Sequence, residues 1–274
     1  MELTKVIEEL SIGNNRLPID ALKEAANRKD EIIPHLVKSV QDALDSYEHA
    51  DRNNYLPIHS VLLLSQFKAQ ESHELICNLM KIPCSEESNP LDNILDIVLT
   101  ECMHNVLANT YNGDTSHIRS IIETTDASVF ARGAAIVSLV LLLLREVVPK
   151  DETISYLKSL FEIKIESYNV HMFYSLLIHA CNQLEMPEFE PWIKQKYEQD
   201  LVDTSIVPIE QMTKRSDSWT KLVLNYSNDP IEILGRWQPK KIKNELKKDA
   251  IKKKVPITQQ YSNIPRNRRI HKRR

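Results

Sequence analysis

The chain has 274 residues, of which 27% are charged and 42% hydrophobic, with 4 glycines, 6% aromatics and a formal net charge of −3. That length gives one large or two small domains an ample core, while so few glycines and aromatics exclude a turn-rich β-sandwich and favour helices. The small net charge conceals an asymmetry: residues 239–274 hold 14 Lys and Arg against Glu245 and Asp249, a net of +12, so residues 1–238 carry −15.

In chain order, Met1–Leu10 is predicted as a short amphipathic helix and Ser11–Arg16 as a polar turn. Pro18 suits the first turn of a helix to Arg28. Asp30 is placed to cap the next, with Pro34 inside the turn whose N–H groups lack partners anyway. Ile33, Leu36, Val37, Val40 and Leu44 form its apolar stripe. Pro57 opens a helix to Lys68, Ser72–Lys81 pairs with it, and Pro83–Pro90 is a loop. Leu91–Asn112 is expected as one long helix with Ile94, Ile97, Val98, Cys102, Val106 and Leu107 inward. Gly113 ends it and Asp114 caps Thr115–Thr124, the glycine-then-cap order of a helix–turn–helix.

Ala127–Val148 (ASVFARGAAIVSLVLLLLREVV) is apolar nearly all round. Phe130, Ala134, Val137, Leu141 and Leu144 mark one face, and Ile136, Leu139, Val140 and Leu143 the opposite one. Such a helix must be buried on several sides, so it is expected at the centre of the fold. Asp126 is its candidate cap, and Gly133 leaves room for a neighbouring helix to approach. Pro149–Asp151 turns into Glu152–Glu166, followed by Asn169–Leu184, Glu188–Gln199 and short helices near Pro208–Met212 and Pro230–Trp237. Read as pairs, the helices start near residues 18, 56, 91, 127 and 169, a spacing near that of two-helix solenoid repeats. The expected fold is all-α, a HEAT-like α-solenoid or stack of helical hairpins over residues 1–238, with 239–274 as a disordered or partly helical basic tail.

Several segments carry a resemblance: Leu17-Pro18 with Ala21-Leu22, Glu31–Leu36, His59 leading into Leu63–Phe67, Tyr111–Asp114, Arg132–Ala135, Leu201–Asp203 and Asp229 to Trp237. In this order they resemble the bacterial domain-of-unknown-function family eleven-eighty-six, over about residues 15–237. The resemblance implies a HEAT-like helical fold without an assigned activity. It also implies, for many members, a C-terminal Cys-rich zinc motif. This chain has no cysteine after Cys181, so that site does not carry over.

No apolar run approaches the roughly 20 residues of a membrane span, and MELTKVIEEL is unlike a secretory leader. Cys77, Cys84, Cys102 and Cys181 show no C-x-x-C spacing, which predicts reduced thiols and a cytoplasmic protein without metal or cofactor. His35, His59, His104 and His179 lie on helical segments, and none belongs to an HExxH motif. Glu101 and His104 form one Glu-x-x-His, but a di-metal bundle needs a second copy, which is absent from the sequence. The carboxylates Asp92/Asp96/Glu101 and Glu185/Glu188/Glu190 suit a solvated face. Arg132, at the start of the apolar helix, is expected to pair with Glu123 or Asp126. Arg132, Gly133, Gly113 and Asp114 are therefore structural candidates, and no catalytic residue stands out.

The tail has two basic blocks. Lys240, Lys241, Lys243, Lys247, Lys248, Lys252, Lys253 and Lys254 form the first, and Arg266, Arg268, Arg269, Lys272, Arg273 and Arg274 the second. Such clusters neutralise phosphates on nucleic acid or another polyanion, or fold back on an acidic body. The expected function is a non-enzymatic scaffold or adaptor holding a protein partner. The alternative is a nucleic-acid- or ribosome-associated factor using the tail. A hydrolase or metal enzyme with a site between helices is the third class.

Overall fold

A sixteen-residue helix with no polar face has to be enclosed by other helices, and that requirement sets the architecture. The computed structural model describes residues 1–13, 17–85, 87–165, 169–215 and 226–237. Among them the chain is all-α. The N-terminal half holds α1 (Leu3–Ser11), α2 (Ile19–Asn27), α3 (Lys29–Asp45), α4 (Leu56–Phe67), α5 (His73–Leu79), α6 (Pro90–Leu95) and α7 (Val98–Glu101). Then follow α8 (Met103–Thr110), α9 (Ser116–Glu123), α10 (Val129–Leu144), α11 (Lys150–Ser159), α12 (Val170–Asn182), α13 (Glu190–Glu198) and α14 (Pro230–Gly235). None of these helices is long and apolar enough to cross a membrane.

The helices stack as hairpins in two rows. Helix α3 pairs with α4, α5 with α8, and α9 with α10. Their first members pack side by side as α3–α5–α9, and their second members as α4–α8–α10, with α12 extending that inner row. Helices α1 and α2 close the α4 end. Helix α10 touches α7, α8, α9, α11 and α12, and 13 of its residues are buried. Phe130, on one of the two apolar faces, is 37% exposed at the first turn. The expected Asp126 cap is corrected. Its backbone carbonyl accepts the Cys84 N–H at 2.8 Å, and α10 starts after Ser128 without a side-chain cap.

Other expectations shift. Leu91–Asn112 is not one helix: Asp96 (φ 47°) and Cys102 (φ −132°) interrupt it. The inward residues Leu91, Ile94, Val98, Cys102, Val106 and Leu107 keep helical spacing across both breaks. The bends let α6 pack on α4 while α7 and α8 pack on α10. Ile97, at the first bend, is turned out to 40% exposure. In α3 Leu36 and Val40 are buried as predicted and Ile33, Val37 and Leu44 are half-buried against the core, while Ile32, Ser39 and Ala43 complete the buried side. That helix begins at Lys29, so Pro34 lies inside it rather than among the free N–H groups.

Several helices stop on a left-handed residue that is not glycine: Lys68 after α4, Glu146 after α10 and Asp200 after α13, at φ 53°, 57° and 56°. In each case the next N–H reaches back five residues, as from Ala69 to the Leu64 carbonyl at 3.0 Å and from Val147 to that of Leu142 at 2.9 Å. This satisfies carbonyls that the helix end leaves open. Gly113, at φ 101°, turns the chain between α8 and α9 by other means: the next N–H, of Asp114, reaches the Asn112 side chain at 3.1 Å rather than a helix carbonyl. Asp114 then accepts the Ser116 N–H at 2.8 Å, as the helix–turn–helix reading predicted.

At Gly133 a Cβ would lie 2.6 Å from Leu176 Cδ1 of α12, so the glycine sets the α10–α12 approach. Gly133→Leu is expected to destabilise the fold by about 1–3 kcal/mol through overpacking, read from the urea midpoint. Leu176→Ala in the same chain should recover part of that loss, giving less than additive effects in a double-mutant cycle.

Candidate functional site

The polar groups on the inner row gather where α4, α8 and the end of α10 meet a returning segment, residues 226–237. Helix α4 supplies Ser65, α8 supplies Asn109, and Arg145 follows α10. Asn109 joins them: its Nδ2 donates to Ser65 Oγ at 3.0 Å and to Asn228 Oδ1 at 2.8 Å. Its Oδ1 accepts from Arg145 Nη1 at 3.1 Å. Two turns back along α8, Tyr226 Oη lies 3.0 Å from Cys102 Sγ. The Tyr226 ring meets His104 edge-on at 6.1 Å, and the Arg236 guanidinium covers it at 4.4 Å. Asp229 accepts the Ile231 N–H at 2.8 Å and so caps α14, with Pro230 at its first position, where a missing N–H costs nothing. Helix α14 packs on α4 and α2. The segment is thus a strap laid across the inner row.

A cleft of about 500 Å³ adjoins Asn109, lined in part by Lys68, Gln70, Asn112 and Arg145. The C-terminal ends of α4, α8 and α10 converge on it, and Arg145 and Lys68 offset the negative ends of their dipoles. Around the strap the titratable groups are held inert. Burial pushes the Cys102 thiol up to about 12 and pulls His104 down to about 4. His104 Nε2 is an acceptor, receiving the Asn105 amide at 2.7 Å. Neither group is poised as nucleophile or base near neutral pH.

A second cluster escaped the sequence reading, although its His-x-x-x-Cys spacing is visible in α5. His73 Nδ1 lies 3.2 Å from Thr110 Oγ1, and Cys77 Sγ lies 3.6 Å from His73 Nε2. The Thr110 hydroxyl hydrogen is committed to the Val106 carbonyl at 2.9 Å, so Oγ1 accepts from His73 Nδ1–H and Nε2 accepts from the thiol. Burial raises Cys77 to about 12 and lowers His73 to about 4. An activated thiolate–imidazolium pair needs the reverse. Both side chains are sealed in the core, at 1% and 0% exposure.

Arg132 is buried, but its partners differ from those expected. Its Nε donates to the Ile122 carbonyl at 2.8 Å and its guanidinium lies over Phe173 at 4.3 Å. Glu123 instead accepts from Tyr156 at 3.0 Å, and Asp126 faces Cys84. His59 bonds the Leu10 carbonyl through Nδ1 at 2.6 Å, whereas His35 is exposed. Glu101 is exposed while His104 is buried, so the Glu-x-x-His pair does not converge. Among the described residues no three His, Cys, Asp or Glu side chains gather to hold a metal ion. Glu185, Glu188 and Glu190 pair with Arg215, Lys158 and Lys194 on the surface. The basic tail, including Lys240, Lys254, Arg266 and Arg274, lies outside the described residues.

A family model described as protein of unknown function (DUF1186) matches residues 1–227. The chain is 28% identical over 247 residues to an uncharacterised protein of Chlamydia trachomatis serovar D, covering 86% of this chain and 96% of that one. A second uncharacterised protein, of Chlamydia muridarum, is likewise 28% identical over 247 residues, covering 97% of its length. No solved structure matches.

His59, His73 and His104 are all pulled from the ordinary 6.5 to about 4, chiefly by burial. Between those values each is neutral when folded and protonates on unfolding. Their stabilisation is complete above the unfolded value near 6.5 and is lost as pH falls toward 4. Urea denaturation at stepped pH should show stability falling by about 1 kcal/mol per pH unit per histidine across that window. His104→Gln should make the slope shallower by one such share.

Proposed function

We propose that the chain, which belongs to the DUF1186 family, is a non-enzymatic HEAT-like scaffold that holds a protein partner along its inner row. One observation carries the reading: the inner row takes up a non-helical stretch, Tyr226–Asp229, through side-chain hydrogen bonds to Asn109 of α8 and to Cys102 just before it, rather than through a cavity of activated groups. Stacked helix pairs offer such a surface by construction. The four free thiols support work in the reducing cytoplasm. The buried histidines and cysteines favour this over the hydrolase reading, since burial keeps them in the unreactive form.

Photo-crosslinking tests it. A benzoylphenylalanine placed at Val137 or Met172 on the inner row should give a discrete, saturable partner adduct in cells. The same group at Lys38 of α3 or Lys158 of α11 should not. Equal adducts from both rows would remove the inner row from the proposal.

A second reading rests on the net +12 of residues 239–274, which suits binding to nucleic acid or another polyanion. Full-length protein should then bind mixed duplex and single-stranded nucleic acid with an affinity that falls steeply with salt, by about 0.9 log unit per log salt for each phosphate contacted. Truncation after residue 238 should abolish the binding. Equal retention by the truncated chain would sink the role of the tail.

A further inference from the structure

The strap is anchored differently from the rest of the fold. Its helix, α14, has six residues, far too few to be stable alone, so docking is what holds it. Ile233 and Pro230 are buried against the body, while Asn228 and Arg236 remain exposed. Its floor, Ser65, Cys102, His104 and Asn109, lies inside the part of the chain that the family model matches. That match stops at residue 227, so it takes in Tyr226 and leaves Asn228 and α14 outside. Tyr226 and Asn228 stand two residues apart, the spacing at which an extended chain presents side chains on one side. Both are received by α8 and its N-terminal boundary: Tyr226 by Cys102 at 3.0 Å, Asn228 by Asn109 at 2.8 Å.

We propose that the floor formed by α4 and α8 is a docking groove for an extended peptide carrying an aromatic hydroxyl and a carboxamide two residues apart, and that the chain's own 226–237 strap closes it as an internal stand-in for that peptide. This rests on the scaffold reading and names the surface and its control. A partner with the same Tyr-x-Asn chemistry competes with the strap for one set of contacts: the Asn109 amide, the Cys102 sulfur and the His104 ring. Arg236 lies over the Tyr226 ring and moves with the strap, so its cation leaves the groove when the strap does. The partner's affinity is lowered by the fraction of time the strap stays down.

Cys102 reports the state of the groove. Under the strap its thiol is 1% exposed. Once water reaches it, the thiolate fraction rises and alkylation accelerates. Cys77 and Cys181, buried elsewhere in the core, serve as internal controls for global opening. The experiment treats the full chain with iodoacetamide and follows each cysteine by mass spectrometry. In the unmodified chain Cys102 should react as slowly as Cys77 and Cys181. Tyr226→Ala with Asn228→Ala should speed Cys102 alone, by about tenfold or more, the signature of local rather than global opening. A synthetic peptide of residues 226–237 added to that variant should restore the slow rate. The same peptide with both positions replaced by alanine should not.

Three results would overturn the proposal: Cys102 staying slow in the double variant, Cys102 accelerating together with Cys77 and Cys181, or failure of the peptide to protect. The last, alongside partner adducts at Val137 and Met172, would leave the scaffold standing and remove only the groove.

Discussion

Everything in this fold follows from having to surround α10. Thirteen residues of that helix are out of water, including Arg132 and Ser138, and apolar burial on this scale is the dominant favourable term in folding. It is achieved by packing α8 and α12 on either side in the same row and α9 behind. Gly133 lets Leu176 of α12 lie against the α10 backbone, while small Ala131, Ala134 and Ala135, spaced i, i+3, i+4, keep the opposite side of the helix narrow. Because α10 is enclosed by segments from both halves of the chain, the described hairpins form one connected core.

Cations are handled in a recurring way. Arg119 lies over Tyr156 at 4.6 Å, Arg132 over Phe173 at 4.3 Å and Lys196 over Tyr174 at 4.4 Å. These contacts join α9 to α11, α10 to α12 and α13 to α12. A cation over a ring recovers some of the electrostatic stabilisation lost with water while letting its aliphatic stem pack. A fully buried carboxylate partner for Arg132 would add a second desolvation cost. The combination of the Ile122 carbonyl and the Phe173 ring avoids it. These contacts bind successive hairpins, and of the three cations only Arg119 adds an ion pair, to Glu152 of α11 at the surface at 2.6 Å, among the described residues.

Much of this was legible in the residues. Proline and glycine placed most helix ends correctly, because fixed or positive φ acts locally. The apolar run identified α10, because its burial is nearly continuous. Periodicity misled at Leu91–Asn112, where the inward residues hold helical spacing through two breaks. A stripe records which residues face the core and says nothing of the backbone between them. Arg132 stands out in the residues as a cation on an apolar helix, but its partners were not foreseeable, since Phe173 and the Ile122 carbonyl reach it only in the folded stack. The strap was the least legible part: Pro230–Trp237 reads as a short helix, but nothing local says that Asn228 meets Asn109, 119 residues earlier. The His73–Cys77 pair was visible in spacing, while its inertness depends on burial.

The left-handed helix ends have a consequence for how the chain can change. Lys68, Glu146 and Asp200 hold a conformation that disfavours any side chain by roughly 1 kcal/mol, in a protein with only 4 glycines. All three are exposed, so their side chains can be lost without disturbing the core. The fold thus carries a mutational reserve: glycine at any of these stops would relieve the strain. That margin could offset costlier changes on the inner row, where new specificity would have to arise.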